Sequence, residues 1–199
     1  AHAVLGDAIE HGALELMTDA GRTVRIVLPE TRVFEDTEPR LADLDGDGGP
    51  EVIVAESDAR LGARLAVYGT DGLIAAGPFI GTRFRWLAIA GAADLDGDGA
   101  IEIAYVDRPH LAKTLRVFRY ADGALTEVAS LPGMTNHRIG EPDIAGGIRD
   151  CGAGPEIIVA DANWQRVHAV RLSANGLAAT PLVAHEGRQS FSRVLNCGG

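Results

Sequence analysis

Eight carboxylates fall in two segments that share one spacing, and they are the residues of this chain best placed to do chemistry. Asp43, Asp45, Asp47 and Glu51 lie in ADLDGDGGPEVIVAE, residues 42–56, and Asp94, Asp96, Asp98 and Glu102 lie in ADLDGDGAIEIAYVD, residues 93–107. Alternate residues of a tightly turned loop can all direct oxygen inward, and calcium takes six to eight oxygen ligands at about 2.3 to 2.6 Å. Counting the backbone carbonyls of Gly49 and Ala100 at position seven, each loop offers five ligand positions. Gly48 and Gly99 stand at position six, where a sharp turn resists a Cβ. Two Ca2+ sites are the chemistry these residues predict.

Elements must hold such loops in place. Each loop runs into a short apolar segment, Val52 to Ala55 and Ile103 to Val106, rich in β-branched residues and read as a strand. The loop resembles the start of an EF-hand, but that motif needs flanking helices and a closing Glu at position twelve. Val54 and Tyr105 stand there instead, and no helical pattern follows. A third copy opens at Asp143 and closes at Glu156, thirteen residues apart instead of eight, which reads as a loop lengthened by five. Asp143, Asp150 and Glu156 are the candidates for a third metal site there, should the longer loop fold back. A weaker fourth copy pairs Asp7 with Glu15 around Gly12, but Ile9 and His11 replace its inner carboxylates.

The starts at Asp43, Asp94 and Asp143 are 51 and 49 residues apart, and a quarter of 199 residues is about 50. Strand-and-turn repeats of this period point to a propeller or solenoid. Each unit continues alike: Ala63 to Tyr68, Thr114 to Tyr120 and Arg166 to Leu172 precede Asp71-Gly72, Asp122-Gly123 and Asn175-Gly176 turns and a further strand. Asp-Gly and Asn-Gly between alternating segments mark hairpins. The prediction is an all-β fold, a small propeller of four blades with four antiparallel strands each. Its units are 1–37, 38–88, 89–138 and 139–188, and a C-terminal strand over 189–197 closes the first blade. A short helix is possible only near Leu5 to Glu10.

Charge and cysteines narrow the function. The net charge is −10, but the two loops hold eight of the 28 acidic residues, and the other 20 nearly balance 18 basic ones. Such packing of like charge stores repulsion that a cation would relieve. It argues against a nucleic-acid binder, which would present a basic face. A bond between Cys151 and Cys197 would staple the third repeat to the chain end; two free thiols are the alternative. A disulfide and calcium together suit a periplasmic or secreted protein. With no long apolar segment, no membrane insertion is expected, and the chain reads as a mature, soluble monomer.

The signature Asp-Leu-Asp-Gly-Asp-Gly-x-x-Glu-(Val/Ile), at residues 43–52 and 94–103, resembles the FG-GAP/VCBS repeat family, the calcium-loop propeller units similar to those of the integrin α-subunit head. The resemblance implies blades of four antiparallel strands, calcium between the first two, and an extracellular or periplasmic setting. Its ligands would be Asp43, Asp45, Asp47 and Glu51, and Asp94, Asp96, Asp98 and Glu102.

Polar residues recur about once per repeat: Arg32, Arg83, Arg85 with Trp86, His137 with Arg138, and Arg188. Gathered on one rim, they would suit an anionic group on a glycan or peptide. The alternative is that the arginines pair with Glu30, Glu35, Glu38, Glu141 and Glu186. No nucleophile triad or His-x-x-x-His helix is present. The expected function is a calcium-stabilised recognition or structural module with a protein or glycan partner. The rivals are a hydrolase or lyase using Arg83, His137 and Arg138 in a central funnel, and a scaffold fragment of a longer protein.

Overall fold

A computed structural model describes residues 10–198. A hairpin of β1 (Ala13–Met17) and β2 (Thr23–Val27) comes first. In sheet I, β3 (Arg32–Phe34) and β4 (Arg40–Ala42) both pair with β5 (Glu51–Asp58), which is followed by β6 (Gly62–Gly69) and β7 (Gly72–Ala76). Sheet II is the meander β8 (Leu87–Ala93), β9 (Glu102–Asp107), β10 (Thr114–Ala121) and β11 (Ala124–Pro132). Sheet III repeats the plan of sheet I, with β12 (Met134–Thr135) and β13 (Gly147–Asp150) on β14 (Pro155–Asp161), then β15 (Arg166–Ser173) and β16 (Gly176–Ala184). Every pairing is antiparallel. At the β10–β11 turn, Asp122 and Gly123 both take positive φ, 50° and 75°, as a two-residue type I′ hairpin requires.

Side chains alternate across a strand, so an apolar run with both parities buried must separate two cores. In β5, Ile53 and Ala55 face sheet II through a core that includes Leu87, Ile89, Tyr105 and Phe118, while Val52 and Val54 face the hairpin through Leu14, Leu16 and Ile26. In β14, Ile157 and Val159 share a core with Val106 and Leu115 of sheet II, while Ile158 and Ala160 turn the other way. Burial of each such valine, isoleucine or leucine side chain contributes about 1.5–3 kcal/mol. The sheets therefore stack in chain order, face to face, in the manner of propeller blades.

Two expectations are corrected. Residues 189–197 do not form a closing strand: α1 (Arg188–Leu195) is a helix. Phe191, Val194 and Leu195 recur at helical spacing and cover Ile158, Ala160, Val167 and Ala169, the outer face of sheet III. Within the described residues, the first unit supplies the hairpin rather than a four-stranded blade. Two unit boundaries also move, since β3 and β12 belong to the sheets that follow them. The possible helix near Leu5 to Glu10 lies outside the described residues except for Glu10, as do Asp7 and Ile9 of the weak fourth copy, whose Glu15 lies in β1. Cys151 and Cys197 are bonded, tying the β13–β14 loop to the end of α1.

Candidate metal centre

Both acidic loops join an edge strand of a sheet to its most buried strand. Ala42 pairs with Glu51 and Ala93 with Glu102, so each loop is clamped at its base by a β-ladder. In the first loop, Asp43 accepts the Gly46 and Gly48 amides at 2.8 and 3.1 Å, Asp47 accepts the Gly49 amide at 2.7 Å, and Glu51 reaches back to the Leu44 amide at 2.7 Å. The second loop repeats this: Asp94 accepts Gly97 and Gly99, Asp98 accepts Ala100 at 2.9 Å, and Glu102 accepts Leu95 at 2.8 Å. Gly48 and Gly99 take φ of 91° and 90°, the left-handed conformation expected of position six. Leu44 and Leu95 plug into the cores shared with the following sheet.

Carboxylate oxygens of Asp43, Asp45 and Glu51 lie within 4.8 Å of one another, as do those of Asp94, Asp96 and Glu102. Asp47 and Asp98 stand outside these triplets, each with its Oδ1 turned to a loop amide. Glu51 is only 7% exposed, and its pKa is raised by burial and by Asp45, Asp47 and Asp43, against the Leu44 amide that favours the charged form. Among the described residues no arginine or lysine pairs with these four carboxylates. Glu51 is buried at the base of the cluster while Asp43 and Asp45 stand exposed at its mouth, and oxygens arranged in this way without a counter-ion are what a divalent cation fits.

The second loop differs. The guanidinium of Arg119 on β10 binds Glu102 at 2.7 Å, Asp96 at 2.7 Å and Asp98 at 2.9 Å. Burial still raises the Glu102 pKa, with the Leu95 amide and Arg119 opposing it.

The third loop corrects the sequence reading more strongly. Arg149 pairs with Glu156 as Ala42 pairs with Glu51, so the counterpart of Asp43 is Asp150, not Asp143. Asp150 and Glu156 are six residues apart, so the loop is shortened by two, not lengthened by five. Asp143 lies in the β12–β13 connection, held by Arg188 at 2.6 Å. Asp143, Asp150 and Glu156 form no metal-holding group among the described residues. Instead, Arg149 and Arg171 bind Glu156 at 2.6 and 2.8 Å, and Asp150 accepts the Gly152 and Gly154 amides. Cys151 occupies the position of Leu44 and Leu95, and its disulfide anchors the loop where those leucines use packing.

Most of the candidate ligand residues are engaged by partners within the protein. Arg32 pairs with Glu56 and Asp58, Arg138 stacks over Trp164 at 4.3 Å, and Arg188 binds Glu141 and Asp143. Arg83 lies over the Phe84 ring at 4.9 Å, and Arg85 caps the Phe84 carbonyl. Trp86 is buried and donates its indole N–H to the Glu35 carbonyl at 2.6 Å, bridging sheets I and II. His137 packs edge-on to Trp86 and is 2% exposed. The Glu141 carbonyl, 2.9 Å from His137 Nε2, can only accept, so Nε2 carries the proton and Nδ1 accepts from His110 Nε2–H at 3.0 Å. Both nitrogens of His137 are thus engaged within the protein, and none faces a substrate. Burial lowers the pKa of each histidine; at His110 the neighbouring His137 adds to this. None of these candidates lines the hollow of about 250 Å³ bounded by Thr37, Arg40, Ile89, Asp143 and Gly146.

Sequence reasoning missed Arg119, Arg149 and Arg171. The signal was an arginine one residue beyond the residue facing Ile103 or Ile157, usable only once the strand register is known. It also missed buried Glu56, which accepts from Tyr68 at 2.7 Å and from Arg64 and Arg32.

Residues 43–105 match the family of FG-GAP-like repeats, so the resemblance carried by the two loops holds over that segment. Among solved structures, the chain is similar to the exotype rhamnogalacturonan lyase YesX, at TM-score 0.47 and 18% identity over 86% of this chain and 35% of that one. The chain spans about a third of that protein's length. No curated protein matches the chain.

Proposed function

We propose that this chain is a calcium-ordered, propeller-type recognition module that works in an oxidising compartment outside the cytoplasm. The observation that carries the reading is the first loop, where buried Glu51 and two aspartates converge with no cationic side chain among the described residues to offset them. Asp43, Asp45 and Glu51 would hold the ion, joined by Asp47 and the Gly49 carbonyl. The ion would supply charge neutralisation and a cross-link between β4 and β5. Leu44, seated in the core between sheets I and II, would pass that order to the neighbouring sheet. The Cys151–Cys197 bond supports the compartment.

A protein or glycan partner with an anionic group would meet exposed Arg83 and Phe84 in the connection before β8. Two experiments test the reading. Calcium added to chelator-treated protein should raise the melting temperature, and Asp45→Ala combined with Asp96→Ala should abolish the rise; a melting temperature indifferent to calcium would overturn the metal assignment. Glycan and peptide arrays repeated with Arg83→Ala should lose signal, and unchanged binding would exclude that rim.

A further inference from the structure

The three equivalent loops differ in what lies across the strands from their glutamates: the position before the loop reads Ala42, Ala93 and Arg149, and the position on the third strand differs as well. Phe118 pairs with Ile103, which places Arg119 opposite Glu102. Val52 pairs with Tyr68, so the residue across from Glu51 is Gly69, and Ile157 pairs with Val170, so the residue across from Glu156 is Arg171. This third-strand position therefore reads Gly, Arg and Arg along the chain. The carboxylates change in step. The first loop keeps all four with no guanidinium among them. The second keeps four but commits Asp96, Asp98 and Glu102 to Arg119. The third has lost the inner aspartates and closes Glu156 between Arg149 and Arg171.

We infer that Arg119 is a built-in cation that takes the place of the metal in the second loop, so that the chain binds one calcium tightly, in the first loop alone. The inference rests on the calcium reading above and assigns the residue that sets which loop uses it. A guanidinium cannot be deprotonated here, and its planar donors satisfy several carboxylate oxygens at once. A calcium ion entering the second loop would have to displace Arg119 from two of the three clustered carboxylates, or sit beside its positive charge. Entry into the first loop displaces only amide hydrogen bonds. Gly69 is also convertible: its backbone is not left-handed, and a Cβ there would meet only the end of the Ile74 side chain, itself partly exposed.

Calorimetric titration of chelator-treated protein with calcium tests this, using the wild type, Arg119→Gln and Gly69→Arg, with melting temperatures measured in chelator. The wild type should bind one ion per chain. Arg119→Gln should bind two, the new site tightening at least tenfold, and should melt lower than wild type in chelator but recover with calcium. Gly69→Arg should bind none. Two wild-type sites of comparable affinity, or an Arg119→Gln stoichiometry still at one, would overturn the inference while leaving the calcium reading intact. Absence of binding in the wild type and in Arg119→Gln would overturn the reading itself. If Gly69→Arg fails to fold, Arg119→Gln decides the matter alone.

Discussion

The β4–β5 loop and the β13–β14 loop occupy the same place in sheets I and III, yet one gathers four carboxylates without a cationic partner while the other closes one glutamate between two arginines. The leucine that docks the first loop on the neighbouring sheet is replaced in the other by a cysteine bonded to the chain end. The difference teaches that the repeat conserves an electrostatic requirement rather than a ligand set. A buried glutamate at the head of the second strand needs positive charge, and a metal ion or a cross-strand arginine can supply it. The β8–β9 loop stands between the two, with a metal-type sequence and an arginine-type environment.

Breaking the arginine-filled loop should have the largest effect. Glu156→Ala strands the largely buried Arg149 and should cost about 3 kcal/mol, because a buried charge that loses its partner keeps its desolvation penalty. Chemical denaturation should give the same loss with calcium or with chelator; a calcium-dependent loss would blur the contrast between the loops. Replacing Cys151 and Cys197 by serine should cost about 2–4 kcal/mol by freeing the unfolded chain, again without regard to calcium. Asp45→Ala should leave stability in chelator nearly unchanged and remove a calcium-induced gain of about 2.7 kcal/mol at a hundredfold excess over the dissociation constant. A variant that keeps that gain would place the ion elsewhere.

The smallest effect lies away from both loops. The His110 and His137 pKa values are lowered by burial, and at His110 further by its neighbour, relative to 6.5 for the free side chain. The unfolded state therefore takes up protons first, so stability is highest above pH 6.5 and falls as pH drops through and below it. His137→Phe should flatten that slope in denaturation measured between about pH 7 and 5. An unchanged slope would assign it to other groups.

Much of this was legible in the sequence. The Asp-x-Asp-x-Asp spacing, the glycine at position six and the Asp-Gly turns are local signals, and loop, strand and hairpin all appear where they predict. What stayed hidden depends on register. Asp143 looks like a loop opening because Pro142-Asp143-Ile144 imitates the start of a repeat, yet backbone pairing assigns the position to Asp150. Arg119 lies 17 residues from Glu102 in sequence and touches it only because two strands pair at one offset. Gln189 to Leu195 is short and mixed enough to read as a strand, and only the open face of sheet III decides for a helix.

The most direct measurement is anomalous diffraction from crystals of the intact chain grown with calcium. The account predicts a strong peak among Asp43, Asp45 and Glu51, with the Arg119 guanidinium holding the corresponding place in the second loop. A first loop without a peak at saturating calcium, its carboxylates turned out to solvent, would contradict it.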